Sequence, residues 1–152
     1  MLYVTFHLGQ TRFVIDAGKV TQVVARVPLR VLPLTEPYVA GLLDFRGTLL
    51  VVVDLSTRLF GTHCAENLST RIIIVRIKHG DREVPMGLIA EHVTRLSHAE
   101  AALPEDKIET VPEDDCLGRI VRIDGSPVQR IEVDRILSES LRRQIFEQFL
   151  GQ

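Results

Sequence analysis

Residues able to carry chemistry are few and scattered along this chain. Its two cysteines, Cys64 and Cys116, stand 52 residues apart and form no C-x-x-C pair. That excludes a zinc knuckle and a dithiol redox motif. Cys64 needs an activating base to act as a nucleophile, and the sequence places none beside it. Cys116 precedes an apolar run and fits a small core residue. The five histidines, His7, His63, His79, His92 and His98, make no H-E-x-x-H, and His92 and His98 fall on different segments. Isolated histidines are commonly polar surface groups, so no metal site is expected. Glu113-Asp114-Asp115 lacks the spacing and glycine of a calcium loop, and a solvated acidic loop is the simpler reading. No G-x-S-x-G, P-loop or G-x-G-x-x-G is present, so no cofactor cradle is expected either. A small hydrolase using Cys64, or Asp114 with Asp115, is the remote alternative, because no acid, base and orienting group can be placed together.

The dominant pattern along the chain is short β-rich runs separated by turn residues. Leu2 to Leu8 alternates apolar and polar, Gly9 to Arg12 forms a hairpin turn, and Phe13-Val14-Ile15 resumes the strand. Val20 to Val27 is a further strand, followed by a stretch punctuated by proline from Pro28 to Pro37. Gly41 to Phe45 and Thr48 to Val53 flank the tight connection Arg46-Gly47. Leu49 to Val53 is continuously apolar, as expected of a strand buried on both faces. Asp54 fits a helix N-cap, Leu55, Leu59 and Phe60 an apolar stripe, and Gly61 a stop. Strands are expected at Arg71 to Lys78, Glu83 to Ala90, Val93 to Leu96, Leu117 to Ile123 and Val128 to Val133. Asp124-Gly125 is a strong hairpin turn, whereas Ser97 to Asp115, with Pro104 and Pro112, is a mainly irregular connector. Leu137, Leu141, Ile145 and Phe149, widened by Phe146 and Leu150 and stopped by Gly151, make an amphipathic C-terminal helix. That stripe either covers the protein's own core or meets a partner, and self-coverage is the default.

The two halves repeat each other loosely. The first turn recurs 71 residues later (Gly9 to Gly80), and the last aspartate 80 residues later (Asp54 to Asp134). The chain has 152 residues, 45% apolar and only 5% aromatic, which suits one ordinary domain or two small units packed together. The net charge of −2, with Lys plus Arg 18 against Asp plus Glu 20, argues against a nucleic-acid binder. The N-terminus begins a strand pattern without a basic or apolar leader, and the apolar runs are too short to span a bilayer. The expectation is a cytoplasmic protein with no direct membrane insertion. A β-rich chain without a catalytic constellation points to a binding module that uses apolar grooves and strand edges.

The segment Leu32-Pro33-Leu34-Thr35-Glu36-Pro37-Tyr38-Val39-Ala40-Gly41 through Arg46-Gly47 and Val53-Asp54-Leu55 to Gly61 resembles the signature of the CheW-like family. Phe13-Val14-Ile15-Asp16 with Val20 and Val23 resembles its opening, and Gly87 to Val93 its second-half motif. The likeness spans about Tyr3 to Leu137. Asp44, Phe45, Val51 and Glu91 depart from residues common in the family. The resemblance implies a mainly β fold of two SH3-like five-stranded barrels. The expected domain covers residues 1–137, with pseudo-repeated halves at about 13–70 and 71–130 that exchange strands, and a C-terminal amphipathic helix at 138–152. It implies a chemosensory adaptor without catalytic activity or cofactor. Its partners would be the cytoplasmic tip of a methyl-accepting chemoreceptor, the regulatory domain of a CheA-type histidine kinase and other CheW-like proteins. A CheW-like adaptor of a non-flagellar pathway, serving surface sensing, pilus motility or a cyclic-dinucleotide output, is the alternative.

The resemblance also implies site residues. Val20, Leu43, Phe45, Arg46, Leu49, Val93 and Leu96 are the candidates for the receptor groove, and Gln22 and Val23 for the kinase contact. Val20 is equally readable as an ordinary strand core residue, and Val93 and Leu96 read more simply as core packing. Arg46 reads either as a solvated turn residue or as a guanidinium that braces or touches the partner. Gly41 and Gly47 are expected to serve backbone geometry, and Asp54 to cap a helix.

Overall fold

Four two-residue turns organise the strands. In a computed structural model of the chain, which describes residues 1–33, 36–94, 96–98 and 116–150, they close four hairpins. Gly9-Gln10 joins β1 (Leu2–Leu8) to β2 (Thr11–Asp16), and Arg46-Gly47 joins β4 (Val39–Phe45) to β5 (Thr48–Asp54). Gly80-Asp81 joins β6 (Thr70–His79) to β7 (Arg82–Glu91), and Asp124-Gly125 joins β9 (Leu117–Ile123) to β10 (Ser126–Ile131). Both residues of Arg46-Gly47 and of Asp124-Gly125 have positive φ, the turn whose twist matches the strands it connects. β3 (Val20–Ala25) and β8 (Leu96–His98) complete the set. Glu113-Asp114-Asp115, Pro104, Pro112, Gly151 and the Phe149 side chain lie outside the described residues.

Pairing sorts the strands into two groups. In one, β3 pairs with β6, β6 with β7, β7 in parallel with β5, and β5 with β4. In the other, β8 pairs with β1, β1 with β2, β2 in parallel with β10, and β10 with β9. They join where His7 faces Glu91. The division therefore does not fall near residue 70. β6 folds back on β3, and this keeps residues 70–91 with the first group, while residues 2–16 close the second.

Alternation along the strands explains the core. One side chain in two faces a local cluster, and the next faces a cluster shared by both groups. Leu50, Val52, Ile72 and Ile74 join Leu43, Cys64 and Ile89 inside the first group. Tyr3 and Val14 join Val121, Ile123 and Val128 in the second. The intervening Val4, Phe6, Phe13, Ile15, Val51, Val53, Ile73 and Val75 enter the shared cluster. This is why Leu50 to Val53 shows no polar alternation: each of these four side chains is buried.

Other local features follow from caps. Asp54 Oδ1 accepts the N–H groups of Ser56 at 3.0 Å and Thr57 at 3.2 Å, opening α1 (Leu55–Phe60), which Gly61 ends at φ 77°. The strand expected at Val93 to Leu96 is displaced to Leu96–His98. His92 turns the backbone (φ 47°), and Thr94 N–H donates to the Thr5 carbonyl at 2.8 Å, so pairing with β1 starts only at Leu96. The first turn is likewise shorter than expected, because Thr11 already pairs with Leu8.

The C-terminal segment is not one uniform helix. After a 3-10 turn at Val133–Arg135, Ser138 caps α2 (Glu139–Arg143), which widens into a π-helical stretch at Gln144–Phe149. Ile136, Leu137, Leu141, Ile145 and Phe146 are buried in the shared cluster, so the apolar stripe covers the protein's own core. Phe146→Ala should lower the unfolding free energy by about 3–5 kcal/mol in a denaturant titration. Phe60→Ala, at a ring that is 52% exposed, should cost less than about 1 kcal/mol.

Candidate interaction site

The β4–β5 hairpin presents Arg46. The residue is exposed and left-handed (φ 52°), and the carboxylate of Asp44 fixes the turn by accepting the Gly47 N–H at 3.1 Å. The Arg46 guanidinium lies over the Phe45 ring, 4.9 Å from its centroid. A cation already held over an aromatic face loses less freedom when it meets a partner. Phe45 is half-buried against the first group's core, and Leu43 is buried in that core, so Leu43 supports the hairpin from inside. Leu49 is 37% exposed and sits across from Asp44.

The remaining candidates fall in two other places. Val20 and Val93 are half-buried, and both pack on the edge of the shared cluster. Leu96 is exposed on β8, opposite Val4. Gln22 and Val23 are on β3, which ends the strand order of the sheet, with Gln22 half-buried and Val23 exposed. The structure thus brings Phe45, Arg46 and Leu49 together on one hairpin, and sets Val20 and Val93 on a common apolar cluster. Gly41 has φ 148°, and a Cβ there would overlap the Arg30 carbonyl oxygen. Its lack of a side chain lets Arg30 and Leu42 exchange two backbone hydrogen bonds, of 2.9 and 2.8 Å, tying the proline-punctuated segment to β4. Gly47 has φ 84°, as its turn requires.

Sequence reasoning missed a groove of about 830 Å³ lined by Val27, Pro28, Leu29, Ala40, Glu66 and Leu68, among others. Arg26 pairs with Glu66 across it at 3.1 Å. Val27 reads as the end of a strand and Leu68 as an isolated apolar residue in a polar loop, and nothing local joins positions about 40 residues apart.

The chemistry-bearing residues serve the fold. Asp54 uses its second oxygen to accept the Cys64 N–H at 3.0 Å, and the Cys64 thiol donates to Glu91 Oε1 at 3.6 Å. Burial, then the nearby carboxylates of Asp54 and Glu91 and the bond to Glu91, push the thiol up to about 12, with Arg26 partly opposing. A thiol held protonated is a poor nucleophile. His63 is largely exposed beside Thr57, and His7 and His92 meet edge to face with ring centroids 5.7 Å apart. Among the described residues no three His, Cys, Asp or Glu side chains are grouped to hold a metal ion, and no helix is long and apolar enough to cross a membrane.

Because the folded thiol stays protonated where the unfolded one ionises, its contribution to stability is complete below about pH 9 and falls as the pH rises toward 12. Denaturant titrations at about pH 8 and about pH 10.5 should show wild type losing roughly 2 kcal/mol more than Cys64→Ala over that interval.

Residues 2–141 match the description CheW-like domain. The chain is 25% identical over 139 residues to the probable chemotaxis protein CheW of Rhizobium etli, covering 90% of this chain and 87% of that one. It is 21% identical over 139 residues to the chemotaxis protein CheW of Thermotoga maritima, covering 89% and 86%. Among solved structures, the scaffolding protein TtCheW from Thermoanaerobacter tengcongensis superposes with a TM-score of 0.70 at 24% identity, over 90% of this chain and 87% of that one. The two strand groups, the Arg46-Gly47 hairpin and the match over nearly the whole chain agree, and the protein belongs to the CheW-like domain family.

Proposed function

We propose that this protein is a non-catalytic adaptor that couples the cytoplasmic tip of a methyl-accepting chemoreceptor to the regulatory domain of a CheA-type histidine kinase. The observation that carries this reading is the family match over residues 2–141, which takes in both strand groups and the hairpin that presents Arg46. The names of the relatives, chemotaxis protein CheW in both curated cases, support the same direction.

In this reading the receptor is met by apolar positions at the edge of the shared cluster, with Val20 and Val93 as anchors and Leu96 on the exposed strand beside them. A helical hairpin suits such a surface, because a helix offers apolar side chains at i, i+3 or i+4 and i+7. Phe45, Arg46 and Leu49 on the β4–β5 hairpin form a second contact, with Leu43 in the core that Phe45 packs on. The guanidinium supplies directed donors to helix-terminal or loop carbonyls. Gln22 and Val23 on β3 meet the kinase. β3 then carries residues for both partners, Val20 toward the receptor and Gln22 with Val23 toward the kinase. The protein acts in the cytoplasm, at membrane receptor arrays it reaches through protein contacts alone.

Co-sedimentation of the purified protein with a receptor fragment and the kinase tests the reading. Arg46→Glu should weaken assembly about tenfold or more in apparent Kd. Arg82→Glu carries the same charge change at the exposed first residue of β7 and should assemble like wild type. Equal assembly by both folded variants removes Arg46 from the interface, and no assembly by wild type removes the adaptor reading.

A further inference from the structure

β6 extends beyond the strand that covers it. β3 pairs with β6 from Arg71 to Val75, and from Arg76 to His79 that outer edge has no strand partner among the described residues. Open N–H and C=O groups on a strand edge are a template for pairing with another chain. Here side chains of the C-terminal segment take the backbone of Lys78 instead. Asp134 Oδ1 accepts the Lys78 N–H at 2.7 Å, and Arg142 donates to the Lys78 carbonyl at 3.0 Å. One acceptor and one donor on the same residue reproduce what a neighbouring strand would offer.

These two side chains are held in place. Asp134 Oδ2 is 3.0 Å from Lys19 Nζ, and Arg142 also donates to the Asp134 carbonyl at 3.3 Å. Glu147 Oε2 is 3.2 Å from His79 Nε2, and Leu141, Ile145 and Phe146 are sunk in the shared core. Exposed Arg76 and Lys78 lie on the same stretch, and edge cations are themselves a deterrent to pairing.

We propose that the C-terminal segment is an edge guard. Asp134 and Arg142 act as a surrogate strand on the end of β6 and keep it from pairing with a second copy of this chain. An antiparallel edge matches its own copy about a two-fold axis, so the second copy is the partner the exposed stretch fits.

The test is the double variant Asp134→Ala with Arg142→Ala, followed by amide hydrogen exchange and by light scattering at about 0.5 M salt, which screens repulsion between the Arg76 and Lys78 side chains of two copies. Exchange at the Lys78 amide should speed up by about tenfold or more, while the amides of Ile72 to Val75 keep their protection. A dimer should appear that wild type at the same concentration does not form. Unchanged protection at Lys78, or no dimer, in a folded double variant overturns the proposal. If the double variant does not fold, Arg142→Met keeps the packing stem, removes the guanidinium donor from the Lys78 and Asp134 carbonyls, leaves the Asp134 carboxylate on the Lys78 N–H, and decides the matter by the appearance or absence of the dimer.

Discussion

Everything in this molecule depends on one apolar cluster that belongs to neither strand group alone. β1 and β2 send Val4, Phe6, Leu8, Phe13 and Ile15 into it, and β5, β6 and β7 send Val51, Val53, Ile73, Val75, Met86 and Leu88. The C-terminal segment closes it with Ile136, Leu137, Leu141, Ile145 and Phe146. The local clusters are small by comparison, with five buried residues in the second group among the described residues. A unit of that size has too little interior to stand alone, so each group gains its stability by sharing. The low aromatic content fits the same arrangement, because β-branched side chains pack two-sided strands without large rings.

That shared core also sets how the surface is used. Strands buried on both faces have little left to expose, so exposed apolar groups collect at turns, edges and strand ends: Val23, Leu49, Phe60, Leu96 and Ile120. The polar residues that looked able to do chemistry are occupied in holding elements together. Asp54 caps α1 and anchors the loop at Cys64 with its two oxygens. Asp134 bridges Lys19 and the Lys78 backbone. An adaptor asks for this division, with rigid carboxylate-capped joints inside and contacts offered from hairpin tips and edges.

Much of the fold was legible because it is local. The period-two runs, the Asp124-Gly125 and Arg46-Gly47 turns, and the Asp54 cap with its Gly61 stop each depend on residues within a few positions of one another. Pairing partners were not legible. The parallel matches of β2 with β10 and β5 with β7 join distant segments, and no local signal carries them. The strand expected at Val93 was displaced by a tertiary hydrogen bond from Thr94 to Thr5, which no pattern at residues 93–96 encodes. Among the candidate residues, the place of Arg46 on a tight turn was readable from the Arg46-Gly47 pair, whereas the inward face of Leu43 and the groove between Val27 and Leu68 required the folded chain.

The central proposal is that the Arg46 hairpin and the apolar positions Val20 and Val93 receive a helical receptor tip. Its most direct test is an NMR titration of the isotope-labelled protein with a soluble fragment carrying that helical hairpin. Shifts centred on Val20, Phe45, Arg46 and Val93, with β9 and β10 undisturbed, are the predicted result. Shifts confined to β9 and β10, or none at saturating fragment, would contradict it.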